Sequence, residues 1–333
     1  MSGSVPVAVV TDSTAYLPPG VAQARDVRVV PLEVRLGSRS GREGIDIETA
    51  ELTAALADHR IEVQTSRPTP AQFAACYREA LDAGARSVVS VHLSRELSGT
   101  WEAARMAADE IGSDRVRVVD SRAACMGLGF AVLAAADAAD AGGRADEVEA
   151  AAVDVAARCR LFFSVDTLDR LRRGGRIGAA AAFLGTALAV KPLLHVVQGR
   201  IVPLEKVRTT ARAAQRLVDL AVRAAGDGPV DLAVHHLGAG QRAEEVAARL
   251  RERVPAVTRL LVSEVGAVIG AHVGLGVLGV VVVPRRPEVA VASEVAVPTE
   301  RAGRAEVAGP EGDGSNGGDG PNGGDRTGDG PTG

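Results

Sequence analysis

Aromatic residues are scarce in this sequence. Phe, Tyr and Trp together make up 2% of the 333 residues, whereas hydrophobic residues make up 46%. Ala, Val and Leu must therefore fill the interior of a chain that is long enough for about two domains. Narrow aliphatic walls suit a lipid chain better than stacked bases or sugars, although a background bias toward Ala, Arg and Val accounts for the same composition equally well.

Cysteine and histidine are too few and too scattered to indicate a metal site. Cys76, Cys125 and Cys159 show no C-x-x-C spacing, so we expect neither a disulfide framework nor a zinc site. The adjacent His235 and His236 belong to a set that contains no H-x-x-x-H, and we interpret the histidines as mostly structural. The net charge of -4 argues against a nucleic-acid partner, because nucleic-acid binders usually carry a basic stripe.

Long hydrophobic runs are also missing. The uncharged run 177–190 has 14 residues and is too short to cross a bilayer. The 19-residue run 266–284 contains five Gly, one His and a terminal Pro, and it indicates a glycine-rich turn and helix followed by a buried strand. The first residues lead into a strand without a charged leader. We expect a soluble, cytoplasmic protein with no transmembrane segment.

Strand and helix patterns alternate in the first half of the chain. This order predicts βαβ units and a mainly parallel sheet with helices on both faces. The predicted strands are 5–11, 27–36 (one strand, or two broken by Pro31), 88–93 and 116–119, and the predicted helices are 48–58, 71–83, 102–111, 123–141 and 145–158. We therefore predict an N-terminal three-layer α/β/α domain over residues 4–158.

Adjacent strands are more frequent in the second half, which favours a mixed sheet. The predicted strands are 161–165, 192–197, 200–204, 230–236, 259–264 and 277–283, and the predicted helices are 179–189, 209–225 and 241–253. We assign residues 159–286 to a C-terminal α/β domain. Residues 287–333, rich in Gly, Asp, Asn and Pro, are predicted to be a disordered tail, because they have too little apolar surface to offset chain entropy.

A hydroxyl-rich turn, Ser98-Gly99-Thr100, lies between the predicted strand 88–93 and the helix that follows. Unpaired backbone N–H groups and the positive end of the helix dipole meet at such a position, so the turn can hold an anion. In an open α/β sheet it lies in the crevice beyond the carboxyl end of the strand. Equally, Ser98 or Thr100 can serve only as a helix cap.

Three further positions can contribute to a polar site. Thr65 and Ser66 are predicted to lie in a polar turn. Glycines beside Arg176 would let the backbone approach a ligand, although Arg172–Arg173 and Arg176 also fit a solvated cluster at a helix end. His272 stands among glycines and is either a site residue or a core histidine bonded to backbone.

Familiar catalytic motifs are missing or misplaced. Residues 274–279 spell G-x-G-x-x-G, but the predicted strand follows this motif, whereas a dinucleotide site needs the strand before it. Ser98 lacks the G-x-S-x-G elbow of an α/β hydrolase. A Ser98–His272 pair nevertheless leaves an esterase or thioesterase as the alternative function. We expect no cofactor and no metal.

Taken together, these stretches resemble the DegV family, bacterial lipid-binding proteins that include the fatty-acid-carrying subunits of fatty acid kinase. The resemblance covers roughly residues 5–284 and depends on six motifs in a fixed order: 11–13, 65–68, 97–100, 171–177, 191–194 and 266–274. Positions 67, 267 and 275 depart from the family pattern, with Arg where Gln is common and with Ala and Leu where Pro is common.

The resemblance implies two α/β domains that hold one long-chain fatty acid between them in an aliphatic tunnel. It implies a carrier that does no chemistry and presents the carboxylate to a separate ATP-dependent kinase for phosphorylation, with at most transient contact with a membrane surface. Thr65 and Ser98 would contact the carboxylate, and Arg208 would contact the kinase. The implied carboxylate-binding set, with its neighbours in the two hydroxyl turns, is Thr65, Ser66, Ser98, Gly99, Thr100, Arg176 and His272.

Overall fold

The computed structural model describes residues 7–58, 60–177 and 190–286. The strands are β1 (Val7–Asp12), β2 (Val27–Val30), β3 (Glu33–Leu36), β4 (Arg39–Arg42), β5 (Val63–Ser66), β6 (Ser87–His92), β7 (Val116–Asp120), β8 (Arg160–Ser164), β9 (Lys191–Val197), β10 (Arg200–Val207), β11 (Val230–His236), β12 (Val257–Glu264) and β13 (Leu278–Pro284). The helices are α1 (Val21–Ala24), α2 (Thr49–Ala57), α3 (Pro70–Asp82), α4 (Thr100–Ile111), α5 (Met126–Asp140), α6 (Ala145–Arg158), α7 (Asp169–Arg173), α8 (Thr210–Ala225), α9 (Gly240–Arg253) and α10 (Ala267–Val273).

Four short valine-rich strands form a parallel sheet in the order β2-β1-β6-β7. Helices α3 and α4 pack on one face, where Phe73 and Tyr77 are fully buried, and α5 and α6 cover the other. Alanines on α4, α5 and α6 let these helices lie close to the sheet. The predicted parallel sheet with helices on both faces is confirmed.

A small antiparallel sheet of order β4-β3-β5 was missed by the sequence analysis. Strands β4 and β5 are short and polar, so they lack the apolar alternation that predicts a strand, and pairing with β3 stabilises them. Thr65 pairs with Val34, and Ser66 pairs with Glu33. The prediction of a turn at Thr65 and Ser66 was therefore wrong, because both residues end a strand.

A six-stranded mixed sheet follows residue 159, in the order β10-β9-β8-β13-β11-β12. Only β11 and β12 pair in parallel; the other pairs are antiparallel. The apolar strand β13 lies near the centre, and α8 and α9 cover one face of this sheet. The predicted mixed sheet is confirmed, as is the turn and helix before β13.

The predicted helix 179–189 and tail 287–333 lie outside the described residues, and the domain boundary at residue 158 stays a prediction.

Candidate functional site

A cavity of about 950 Å³, including its open mouth, lies among strands, turns and helices from both halves of the chain. Its walls are mainly aliphatic. Representative wall residues are Leu32, Leu93, Val268, Ile269, Val277 and Val281.

The polar residues that line this cavity are mostly accessible to solvent, whereas most of the apolar ones are buried. Ser66 and Arg67 are exposed, and Thr65, Ser98, Arg176 and His272 are half-buried. The cavity therefore has a polar mouth and an apolar interior. The mouth residues are Thr65, Ser66, Arg67, Ser98, Arg176 and His272.

Thr65 and His272 bring strand β5 and helix α10 together at the mouth. Thr65 Oγ1 lies 3.0 Å from His272 Nε2, within hydrogen-bond distance. Burial, with a smaller contribution from the charge of Arg176, lowers the pKa of His272 to about 4. The ring is therefore neutral at pH 7, and one of its nitrogens can donate a hydrogen bond while the other accepts one.

Arg176 follows α7 after two glycines, and Gly175 has a φ of 74°. Its Nε donates to Leu97 O at 3.0 Å, and its Nη1 donates to Gly174 O. The guanidinium thus joins this loop to the turn that carries Ser98. Within the described part of the chain Arg176 makes no ion pair, so it presents a positive charge to the mouth without a carboxylate partner.

The Ser98 turn lies both at the start of α4 and at the mouth of the cavity. Ser98 Oγ accepts the N–H of Thr100, the first residue of α4, at 3.3 Å and lies 2.9 Å from Thr100 Oγ1, whereas the N-cap position itself is Gly99, which has no side chain. The same serine lines the cavity. Gly99 and Thr100 do not line it, and Thr100 is fully buried. Of the seven residues in the implied carboxylate-binding set, the structure brings five to the cavity.

Arg67 is a mouth residue that the sequence analysis noted only as a departure from the family pattern. Its Nη1 donates to Gly99 O at 3.4 Å. A Cβ atom on Gly99 would lie 2.0 Å from this nitrogen, so the absence of a side chain at Gly99 lets Arg67 cross the turn. The position of Arg67 beside Thr65 and Ser66 was the available signal.

Two polar residues of the cavity wall are buried rather than at the mouth. His235 Nε2 accepts the Met126 N–H at 3.1 Å, and its Nδ1 lies 3.0 Å from Ser263 Oγ. Burial lowers the pKa of His235 to about 4, and burial raises the pKa of the Cys125 thiol. Both side chains are therefore neutral, so the interior wall favours an uncharged ligand segment.

The esterase alternative gains no support from the site. His272 Nε2 contacts Thr65, and among the described residues no hydrogen bond joins Ser98 to His272. Ser98 therefore lacks the adjacent base that activates a serine nucleophile.

A Ser-His-Asp arrangement does occur elsewhere, inside the parallel sheet. Ser90 Oγ lies 2.6 Å from His92 Nε2, and His92 Nδ1 lies 3.0 Å from Asp12 Oδ2. All three residues are fully buried, and none lines the cavity. Tyr77 donates to Ser90 Oγ at 2.8 Å. Because a nucleophile must reach its substrate, we interpret this network as structural.

Three remaining expectations concern the surface residue Arg208, metal sites and membrane-spanning helices. Arg208 is exposed between β10 and α8 and does not line the cavity. Across residues 7–58, 60–177 and 190–286, no group of three or more His, Cys, Asp or Glu side chains is placed to hold a metal ion. In the same ranges, no helix has both the length and the apolar character needed to span a bilayer.

The fold and the site define an α/β protein with a parallel sheet, a mixed sheet and an aliphatic cavity that opens through a polar mouth. A family model described as "Uncharacterised protein, DegV family" matches residues 6–285. The chain belongs to the DegV family.

Its relatives include a DegV domain-containing protein of Streptomyces coelicolor, which is 56% identical over 279 residues; the match covers 84% of this chain and 99% of the relative. A solved DegV family protein from Thermus thermophilus, described by its fatty acid binding, is 35% identical, with a TM-score of 0.79 over 84% of this chain and 100% of that one. The structure of DegV from Bacillus subtilis, described as a fatty acid binding protein, is 33% identical, with a TM-score of 0.77 and the same coverage.

Proposed function

We propose that this protein binds a long-chain fatty acid, with the acyl chain in the aliphatic cavity and the carboxylate at the mouth. The observation that carries the proposal is the position of Arg176: a cation without an ion pair among the described residues stands at the opening of an apolar cavity. The fatty acid binding described for the Thermus and Bacillus relatives supports the same ligand class.

The acyl chain supplies most of the affinity. Burying one methylene contributes about 0.8 kcal/mol. A sixteen-carbon chain therefore offers roughly ten kcal/mol before the costs of association and of ordering the chain. The aliphatic walls contain neutral polar groups only, so they suit a hydrocarbon chain.

The headgroup requires donors, because an ionised carboxylate can only accept hydrogen bonds. Arg176 provides a charged donor, and Thr65 and Ser98 provide hydroxyls at the same mouth. The neutral ring of His272 can donate from one nitrogen. Such partners offset the cost of moving the carboxylate out of water.

We further propose that the protein is a non-catalytic, cytoplasmic carrier, which presents the bound carboxylate to a separate ATP-dependent fatty acid kinase. The half-buried mouth supports this proposal, because a headgroup bound there remains within reach of a second protein. The exposed Arg208 is the proposed kinase contact. The proposal includes transient contact with a membrane surface. It also places the boundary between the N-terminal and C-terminal domains after residue 158.

Native mass spectrometry of the purified protein tests the ligand. We expect a bound mass that lipid extraction identifies as a long-chain fatty acid. Ser98→Ala should weaken palmitate binding, whereas Ser40→Ala, at an exposed position of β4 away from the cavity, should not. An empty protein that also fails to bind palmitate in titration would overturn the proposal.

A further inference from the structure

A buried carboxylate, Glu43, contacts the start of the helix that carries His272 and is not explained by ligand contact. It follows β4, is 6% exposed, and does not line the cavity. Its Oε2 accepts the Ser13 hydroxyl at 2.5 Å, and its Oε1 accepts the Tyr16 hydroxyl at 3.0 Å. All the donors that the structure gives this carboxylate, in the described ranges, are neutral.

The third donor to Glu43 comes from the helix that carries His272. The Val268 N–H, at the start of α10, donates to Glu43 Oε1 at 2.7 Å. The next N–H, of Ile269, donates to the Tyr16 hydroxyl at 3.2 Å. Two consecutive N–H groups of the first turn, which have no partner within the helix, are therefore satisfied by side chains from the N-terminal part of the chain.

Gly266 allows the side chains of Glu43 and Tyr16 to lie against the start of α10. A Cβ atom at this position would lie 2.5 Å from Glu43 Oε1 and 2.6 Å from Tyr16 Cε1. Both of these atoms belong to buried or half-buried side chains with fixed hydrogen-bond partners, so they have little room to move. The glycine at the start of α10 thus leaves room for the side chains of Glu43 and Tyr16.

The position of the first turn of α10 also fixes the position of His272 at the mouth of the cavity. It has only seven residues, so His272 lies one turn beyond Val268 and Ile269. The contact between His272 Nε2 and Thr65 Oγ1 therefore depends on where the helix is held. Without the two oxygen acceptors, the first turn of α10 would have to seek water in a buried region, at the cost of displacing the helix.

We infer that Glu43 and Tyr16 are positioning residues for the headgroup site: as hydrogen-bond acceptors they hold the N-terminal turn of α10 and thereby place His272 beside Thr65. This inference rests on the proposed fatty acid function. Burial raises the pKa of Glu43, and the hydrogen bonds from Ser13, Val268 and Tyr16 oppose that rise. The acceptor oxygens, rather than a salt bridge, therefore define the role of this side chain.

A double-mutant cycle on palmitate binding tests the inference with four proteins: wild type, Tyr16→Phe, His272→Ala and the double variant. Tyr16→Phe removes the acceptor of the Ile269 N–H and keeps the ring. We expect it to weaken palmitate binding about fivefold in the wild-type background and less than twofold in the His272→Ala background, because residues that act through one another are not additive.

Glu43 supplies an independent pair of variants. Glu43→Met removes both oxygens at similar length and should weaken palmitate binding about fivefold. Glu43→Gln keeps an oxygen for the Val268 N–H and should restore affinity to within about twofold of wild type. In the ligand-free protein, Tyr16→Phe and Glu43→Met should shift the ¹⁵N signals of the His272 ring and leave those of His235, which bonds Met126 and Ser263, unchanged.

The outcomes separate the two proposals. A wild-type protein that binds no palmitate overturns the proposed function. If the wild type binds palmitate, the inference alone is overturned by any of three results: unchanged affinity in Tyr16→Phe, an equal loss in the His272→Ala background, or a Glu43→Gln protein as weak as Glu43→Met.

Discussion

Thr65 Oγ1 lies 3.0 Å from His272 Nε2, so two residues separated by 207 positions in the sequence meet at the mouth of one cavity. Thr65 stands near the end of a short strand in the small antiparallel sheet, and His272 in the last turn of α10. The contact joins the N-terminal and C-terminal parts of the chain where the proposed headgroup binds. It also leaves Ser98 without a histidine base.

Replacing Arg176 with Gln should weaken palmitate binding about 10- to 100-fold, because a hydrogen bond to a charged group contributes about 1.5–3 kcal/mol. Hexadecanol, which lacks the carboxylate, should bind both proteins within about twofold of each other on the same argument. Titration calorimetry measures both ligands. Arg173→Gln is the matched control, since Arg173 is exposed on the same segment and does not line the cavity. Equal losses for the two ligands would contradict a role for Arg176 at the headgroup.

The pKa of His272 predicts an acid-sensitive contribution to stability. An unfolded histidine takes up its proton near pH 6.5, whereas burial lowers the pKa of folded His272 to about 4. The contribution of neutral His272 to the free energy of unfolding is therefore fully present above the unfolded pKa. It is lost as the pH falls from there through the folded pKa. Between pH 7 and 4.5 the free energy of unfolding should fall by roughly 2 kcal/mol more in the wild type than in His272→Asn. Urea denaturation of both proteins at the two pH values measures this difference. An identical pH dependence of the two proteins would show that burial does not lower the pKa of His272.

Two glycine substitutions, Gly266→Ala and Gly99→Ala, should lower the free energy of unfolding by different amounts. At Gly266 an added Cβ meets the held side chains of Glu43 and Tyr16, and overpacking of this kind costs about 1–3 kcal/mol. At Gly99 the added Cβ meets the far end of the flexible Arg67, which can swing into solvent, so the cost should stay below about 1 kcal/mol. Urea denaturation of Gly266→Ala and Gly99→Ala tests the contrast. A larger loss at Gly99 would mean that Arg67 is rigidly held.

The buried Ser90 should behave as a structural residue. Ser90→Ala leaves the Tyr77 hydroxyl and His92 Nε2 without a partner and should lower the free energy of unfolding by about 1–3 kcal/mol. A fluorophosphonate probe should not label Ser90 in the folded protein, because the residue is fully buried. Labelling of Ser90, detected by peptide mass spectrometry, would reopen a hydrolase function.

The proposed kinase contact makes a separate prediction. Arg208→Glu should lower the rate of acyl-phosphate formation by a partner kinase and leave palmitate affinity within about twofold of wild type, because reversing an interface charge mainly affects association with the partner. Hydroxylamine trapping of the acyl phosphate measures the rate. Arg212→Glu, two positions inside α8, is the control for a general change of surface charge. A rate unchanged by Arg208→Glu would remove Arg208 from the proposed interface.

The regular elements with strong periodicity could be predicted from the sequence. Buried strands such as β6 and β13 are continuous apolar runs, and α4 and α8 are helices with one apolar face, so their local patterns already specify them. Strands β4 and β5 could not be predicted in this way, because their residues are polar and exist as strands only through pairing with β3. The α/β fold class followed from the alternation of strands and helices, and the family followed from six ordered motifs.

The residue types of the candidate site could be predicted from the sequence, but their arrangement could not. The polar motifs at 65–66, 98–100, 176 and 272 were visible as residue types that can bind an anion. Their meeting at one mouth, the bond from Arg176 to Leu97 O, and the contribution of Arg67 were not visible, because each depends on a contact between segments far apart in the chain. The ligand-binding roles themselves stay predictions.

By itself the sequence determined the alternation of strands and helices, the aliphatic character of the interior and the family to which the chain belongs. These properties depend on local periodicity and composition, which each segment carries independently of the others. Only the tertiary structure decided that Thr65 meets His272, that Ser98 lines the cavity, and that Glu43 and Tyr16 accept the N–H groups of the first turn of α10. The physical reason is that hydrogen bonds act over about 3 Å, so they exist only after packing has brought distant segments together.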